Sequence, residues 1–174
     1  MKELLLKSIL TKKLTKNEII NICKLKDTQW KHGLKSQLNW FNEYVQDKDI
    51  HNLAYFKERL VGYGLLRKRS FFFNKQKFFY LYYDTLIVSK MYRKFNIGKK
   101  ISILVTKIIK KSKLHSMLIC EKKIVSFHEK YKWKKINNKN SEITDHKYSK
   151  KFSMMCFNET LEIKRNKIKY FIFS

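Results

Sequence analysis

Apolar positions along this chain come in short runs separated by lysine-rich polar stretches, and the period of the runs changes along the sequence. Residues 2–10 hold an apolar run of strand length. Thr15-Lys16-Asn17-Glu18 has the form of a capping box, a hydroxyl at the N-cap and a carboxylate three positions on. Ile19, Ile20, Ile22, Cys23 and Leu25 follow and predict a helix of about three turns. A second helix is predicted over 34–45, with Leu38, Phe41 and Val45 along one stripe and Trp30 and Trp40 beside it. Residues 49–56 and 60–66 read as two strands joined by the turn Lys57-Glu58-Arg59, a hairpin. Residues 68–77 read as a loop or a ragged strand end. The run 78–88, dense in aromatic and β-branched residues, predicts a central strand.

Ile97, Ile101, Leu104, Val105 and Ile108 then recur at helical spacing, with Lys99, Lys100, Lys107, Lys110 and Lys111 mostly off that face. A short strand over 115–120, a short helix over 124–131 and extended chain over 133–136 come next. Residues 137–149 are polar and read as a loop, and 152–157 and 168–173 are the last strand candidates. No repeat and no domain linker interrupts the series. The order predicts one α+β (α/β) domain over residues 1–174, a mixed central sheet of about six to seven strands flanked by about four helices.

Composition changes the picture through charge. Forty Lys+Arg face 14 Asp+Glu, giving +26, and the excess is spread along all 174 residues. Nucleic acid, steering of anionic substrates, and plain compositional drift toward lysine and asparagine all account for it. No apolar run reaches the length of a membrane-spanning helix, and the apolar run near Met1 is too short for a signal peptide. The three cysteines, Cys23, Cys120 and Cys156, lie far apart without a CxxC, so neither a zinc cluster nor a disulfide framework is expected. A cytoplasmic location follows as the expectation.

The stretch from Asp84 to Ile101 carries the chemistry. A buried strand ends at Val88, a polar turn follows, and an amphipathic helix opens at Ile97. Unpaired N–H groups at such a junction, with the helix dipole, form an anion cradle. Gly98 permits close approach of a phosphate, Asn96 tolerates a left-handed backbone, and Arg93, Lys94, Lys99 and Lys100 add cations. A pyrophosphate suits this cradle.

Arg93-Lys94-Phe95-Asn96-Ile97-Gly98 resembles the Arg/Gln-x-x-Gly-x-Gly/Ala signature of the GNAT superfamily of acyl-CoA-dependent N-acyltransferases. Ser126-Phe-His-Glu-Lys-Tyr-Lys-Trp133 is similar to that family's second motif, and the element order matches over about residues 1–157. The chain departs from the family pattern at Asn96 and Lys132, where the family has glycine, and at His128, where the family often has a tyrosine acid.

The resemblance implies acetyl-CoA as co-substrate. The main chain of Ile87 and Val88 would pair with the pantetheine arm, and the N–H groups of Arg93, Lys94, Phe95, Asn96, Ile97, Gly98 and Lys99 would hold the pyrophosphate. His128 would protonate the leaving thiolate, its reference pKa of about 6.5 being nearer neutrality than a tyrosine's; the plainer reading is a surface histidine. Tyr131 is the fallback acid. Asp84 would act as base or anchor the substrate amine, or simply pair a neighbouring cation. His51 is a weaker base candidate.

The expected acceptor is a small-molecule primary amine, anionic rather than polycationic; a nucleotide-linked amino sugar fits, and a protein amine is an alternative. No metal, membrane or specific nucleic acid is expected, and a homodimer is left open. The alternative class is a basic nucleic-acid-binding protein or a non-catalytic GNAT-fold scaffold. The aromatic run 71–83 with Lys75 and Lys77 mixes rings and cations as single-strand binders do, though half-buried strands with solvated lysines look alike.

Overall fold

The capping box forms as the sequence dictates. Glu18 N–H donates to Thr15 Oγ1 at 3.2 Å and Thr15 N–H donates to Glu18 Oε2 at 2.9 Å, opening helix α1, Lys16–Asp27. The computed structural model describes residues 3–73, 75–136, 141–143, 152–157 and 168–170. Strand β1, Leu4–Leu10, precedes α1, and helix α2, Leu34–Tyr44, follows it. Strands β2 (Ile50–Phe56), β3 (Arg59–Phe73) and β4 (Gln76–Val88) come next, then helix α3 (Ile97–Ser112), strand β5 (His115–Glu121) and helix α4 (Val125–Glu129). Strands β6 (Lys134–Lys135), β7 (Ser141–Ile143), β8 (Phe152–Cys156) and β9 (Ile168–Tyr170) complete the described elements.

The strand path runs β1-β2-β3-β4-β5-β8-β6, with β7 and β9 off it. β4–β5 and β7–β9 are parallel, while β1–β2, β2–β3, β3–β9, β5–β8 and β6–β8 are antiparallel. This is the mixed sheet that the element order predicts. No helix among the described residues is long and apolar enough to cross a membrane.

Two expectations are corrected. Residues 68–77, expected as a loop or a ragged strand end, are the ends of two long strands: β3 continues through Phe73 and β4 opens at Gln76. The run Arg67-Lys68-Arg69 looks solvated in the sequence, but Arg67 and Arg69 are buried, so the charges hide a strand. Within 137–149, expected as a loop, Ser141–Ile143 pairs with β9; the rest of that stretch, like 171–173, lies outside the described residues.

The chain forms two compact units. Met1–Arg67 with Asp84–Val105 make the first, and Lys68–Tyr83 with Thr106–Ser174 the second. In the first, Ile22 and Leu25 of α1 pack on Leu53, Tyr63, Leu65 and Ile87 of the strands. The β2–β3 turn places Lys57 and Glu58 at φ 46° and 60°, the pair of positive values a tight hairpin requires. On β3, Gly62 meets α3: a Cβ there would lie 2.7 Å from Ile97 Cγ2 and 2.9 Å from Ile101 Cδ1. Glycine at this point therefore sets how closely the first turns of α3 approach the sheet.

In the second unit, β4 and β5 run parallel from Tyr80 opposite His115 to Tyr83 opposite Leu118. Tyr80, Tyr82, Met117, Met154, Cys156 and Tyr170 form its core. Cys23, Cys120 and Cys156 are all free and buried, and burial pushes Cys156 up to about 12 and Cys120 to about 11. These are inert thiols.

Replacing Gly62 by alanine forces the two isoleucines off their positions. The expected loss is roughly 1–3 kcal/mol, the usual range for overpacking, read as a lower urea midpoint at unchanged m-value.

Candidate acyl-carrier site and its surroundings

The anion cradle of the first unit is built by a change of backbone hand. β4 ends at Val88, Ser89 N–H donates to the Val61 carbonyl at 2.9 Å, and a 3₁₀ turn covers Lys90–Phe95. Asn96 then takes φ 57° and ψ 23°, the left-handed conformation the sequence anticipates for it. Its carbonyl accepts the first bond of α3, from Lys100 N–H at 3.1 Å. The N–H groups of Ile97, Gly98 and Lys99 precede that bond and have no carbonyl within the helix to donate to. Ile97 is fully buried against the sheet, while Gly98 is half-buried and Lys94, Lys99 and Lys100 are exposed.

Phe95 is 49% exposed and leans on Tyr92, which packs on Phe56. Arg93 folds back, Nε donating to the Val88 carbonyl at 3.3 Å and Nη2 to Gln29 Oε1 at 2.9 Å. The structure thus brings Ile87, Val88, Arg93, Lys94, Phe95, Asn96, Ile97, Gly98 and Lys99 together at one strand–turn–helix junction. The chemistry of this donor set, backbone N–H groups at a helix start among cations, suits a pyrophosphate.

Asp84 lies on β4 in the same unit and faces a guanidinium. Arg67 Nη1 is 3.7 Å from Asp84 Oδ2, Arg67 Nε is 4.0 Å from Asp49 Oδ2, and Arg67 Nη2 donates to the Tyr44 carbonyl at 2.9 Å. Lys26 Nζ sits 3.5 Å from the centre of the Trp40 ring, and Arg67 Cζ lies 5.4 Å from that same centre. Burial holds Lys26 below its ordinary pKa, with Asp84 opposing the shift. Of the roles open to Asp84, cation pairing is the one the side-chain geometry displays.

His51 is fixed on both sides. Its Nε2 meets Thr11 Oγ1 at 2.8 Å, its Nδ1 meets Tyr63 Oη at 2.9 Å, and its ring stacks on Phe41 and Tyr63. Burial, with help from Lys26, pushes its pKa down to about 4. With both nitrogens engaged inside the core, His51 is a packing residue.

His128 belongs to the second unit and is not a surface histidine. It is 5% exposed, with its ring edge-on to Tyr83, Phe127 and Trp133 at centroid distances of 6.1, 5.2 and 6.5 Å. Its Nδ1 is buried with no hydrogen-bond partner among the described residues, and burial pushes its pKa down to about 4. The reference value near neutrality therefore does not describe this ring. Tyr131 packs against Phe127 with the rings tilted at 58° and is half-buried. Lys132, where the family has glycine, takes φ 68°, the hand glycine favours.

Sequence reasoning passed over Arg67 and Lys26. A usable signal existed: Tyr63, Leu65 and Arg67 fall on one face of β3 by period two, so the arginine follows two core residues inward. An open groove of about 630 Å³, lined by Glu3, Leu5, Lys7, Glu18, Tyr55, Lys57 and Glu58, shares no residue with the cradle.

Known structures resemble the chain over most of its length. Escherichia coli ElaA matches with a TM-score of 0.67 at 9% identity, covering 89% of this chain and 99% of that one. The GNAT family N-acetyltransferase YhbS of Escherichia coli, solved in complex with CoA, matches at 0.68 and 8% identity over 97% and 89%. The PaiA N-acetyltransferase of Thermoplasma acidophilum, in complex with coenzyme A, matches at 0.55 and 14% over 87% and 98%. The fold is that of the GNAT N-acetyltransferases. No family model and no curated protein matches the sequence. At such low identity the GNAT fold is carried by its backbone, including the left-handed Asn96 and Lys132 at two positions where the family has glycine.

Two of the buried histidines, His51 and His128, make stability depend on pH. Each is neutral in the fold with a pKa of about 4, against 6.5 in the open chain. Above pH 6.5 both states are neutral; between 6.5 and 4 only the unfolded chain gains the proton, so stability falls as pH is lowered. Two and a half units correspond to roughly 3 kcal/mol per histidine. Urea unfolding from pH 7 to pH 4 is expected to show this loss, and His51→Phe to flatten part of it.

Proposed function

We propose that residues 1–174 form one acyl-CoA-dependent N-acyltransferase domain that moves an acetyl group from acetyl-CoA to a primary amine. The observation that carries this reading is the junction from Val88 through left-handed Asn96 into α3, on a fold shared with acetyltransferases solved with coenzyme A. Acetyl-CoA supplies the activated thioester. The N–H groups of the Arg93–Lys99 segment hold the pyrophosphate, with Lys94, Lys99 and Lys100 around it. The main chain of Ile87 and Val88 pairs with the pantetheine amides. Because the Val88 carbonyl already accepts from Arg93 Nε, that pairing releases the guanidinium, which is then available to the phosphates.

His128 is assigned the proton of the leaving thiolate. At pH 7 a pKa of about 4 leaves roughly one ring in a thousand charged, so the resting imidazole is neutral. The neutral ring takes up the proton that the attacking amine loses, becoming imidazolium, and hands it on to the leaving thiolate, which returns the ring to its neutral form. Asp84, paired with Arg67, is assigned to the amine side, where its negative charge draws the ammonium form of the acceptor. The charge of +26 repels polycations and favours an anionic acceptor; a nucleotide-linked amino sugar fits better than a protein amine.

Acetyl-CoA at a hundred times its dissociation constant is expected to stabilise the fold by about 2.7 kcal/mol, roughly 5–10 °C in Tm. Gly98→Trp removes the shift. A folded protein with no shift at millimolar acetyl-CoA ends this reading. A shift without thiol release across a panel of amines identifies a non-catalytic coenzyme A binder.

His128→Ala is expected to lower kcat about a hundredfold while leaving the acetyl-CoA shift unchanged. Equal turnover in the variant removes His128 from the chemistry. Raising salt from 0.1 to 1 M shortens screening from about 10 to about 3 Å and is expected to weaken acetyl-CoA capture.

A further inference from the structure

The outer half of the β3–β4 hairpin, in the second unit, carries features that the acyltransferase reading does not use. Residues 68–83 contain four Lys and Arg and no Asp or Glu, and of the four Arg69 is buried. Three rings of this stretch, Tyr80, Tyr82 and Tyr83, are buried. Phe79 is 53% exposed and Phe72 is 38% exposed. Lys68 Nζ lies over the Phe79 ring, 4.9 Å from its centre, which puts Lys68 and Phe79 on one face. Strand alternation adds Phe72 to that face along β3 and Lys77 along β4. Lys75, at φ 65° in the turn, and Lys77 are both exposed.

We propose that this face is a sequence-independent binding surface for single-stranded nucleic acid, separate from the acetyl-transfer site. The exposed rings offer stacking platforms to unpaired bases, and Lys68, Lys75 and Lys77 meet the phosphates. Any base has a π face, so such a surface binds without reading sequence. An acidic protein would use the lysines and leave the rings without a role. An anionic membrane fits less well: the rings lie back from a charged turn, and burying Phe79 in hydrocarbon would desolvate the ammonium resting on it.

Fluorescence anisotropy of a labelled single-stranded oligo(dT), titrated with the full chain, tests the proposal. Phe79→Ala and Phe79→Leu are each expected to weaken binding about tenfold, because leucine keeps the apolar area and loses the π face. Lys77→Gln is expected to reduce the log–log salt slope by about 0.7. Heparin, which has charge but no bases, is expected to bind the wild type and the Phe79 variants alike. Phe79 is exposed, so thermal melts of its variants should match the wild type.

Four results overturn the proposal. The first is the absence of oligonucleotide binding at physiological salt. The second is binding that both Phe79 variants leave unchanged. The third is displacement of the oligonucleotide by saturating coenzyme A, which assigns the phosphates to the cradle at α3. The fourth is binding to phosphatidylserine vesicles that Phe79→Ala abolishes and Phe79→Leu keeps, with oligonucleotide binding unaffected.

Discussion

Arg67 is the constraint around which the first unit is arranged. Its side chain is wholly buried, and a guanidinium removed from water must find both charge and hydrogen-bond acceptors. It finds them on three separate pieces of chain: Asp49 just before β2, Asp84 on β4, and the Tyr44 carbonyl at the end of α2. A single fixed fork therefore ties two strands and a helix end to β3. Shifting the register of β3 by one residue would carry Arg67 to the other face, away from both carboxylates. Lys26 and Trp40 extend the same logic, the aromatic face providing for two cations where carboxylates run out.

Asp84 links this constraint to chemistry. Half-buried among apolar residues on β4, with Arg67 beside it, it is a carboxylate four residues from the end of the strand that leads into the cradle. The same strand end, the Gly62 contact under α3 and the left-handed turn at Asn96 then determine where the helix N-terminus points. Backbone conformation matters more here than side-chain identity. Asn96 and Lys132 both adopt positive φ, the hand that glycine favours, so each turn forms without a glycine.

Burial also decides what the histidines can do. His51 and His128 have the same depressed pKa for the same reason, removal from water. They differ in their partners. His51 has both nitrogens engaged, whereas His128 Nδ1, inside an aromatic cage, has no hydrogen-bond partner among the described residues. Two rings indistinguishable by composition and by pKa are thus separated by hydrogen-bond satisfaction alone.

The sequence by itself determined the elements whose cause is local. The Thr15–Glu18 box, the apolar stripe of α3, the aromatic run of β4 and the Asn96 turn each depend on residues within a few positions of one another, so pattern reading finds them. It also marked the cradle, because a helix start presents its N–H groups whatever lies elsewhere in the fold. What tertiary structure decided is the fate of charged and polar residues. Residues 68–77 read as a loop or a ragged strand end because their charges look solvated, and only partners distant in sequence allow an arginine to be buried. Asp84 could not be separated from a base or an amine anchor until Arg67 stood beside it. His128 could not be told from a surface residue until Tyr83, from β4, closed over it. Each of these depends on burial and on contacts across long sequence separations, which set solvation and pairing; local periodicity marks the inward direction of Arg67 and nothing of its partners.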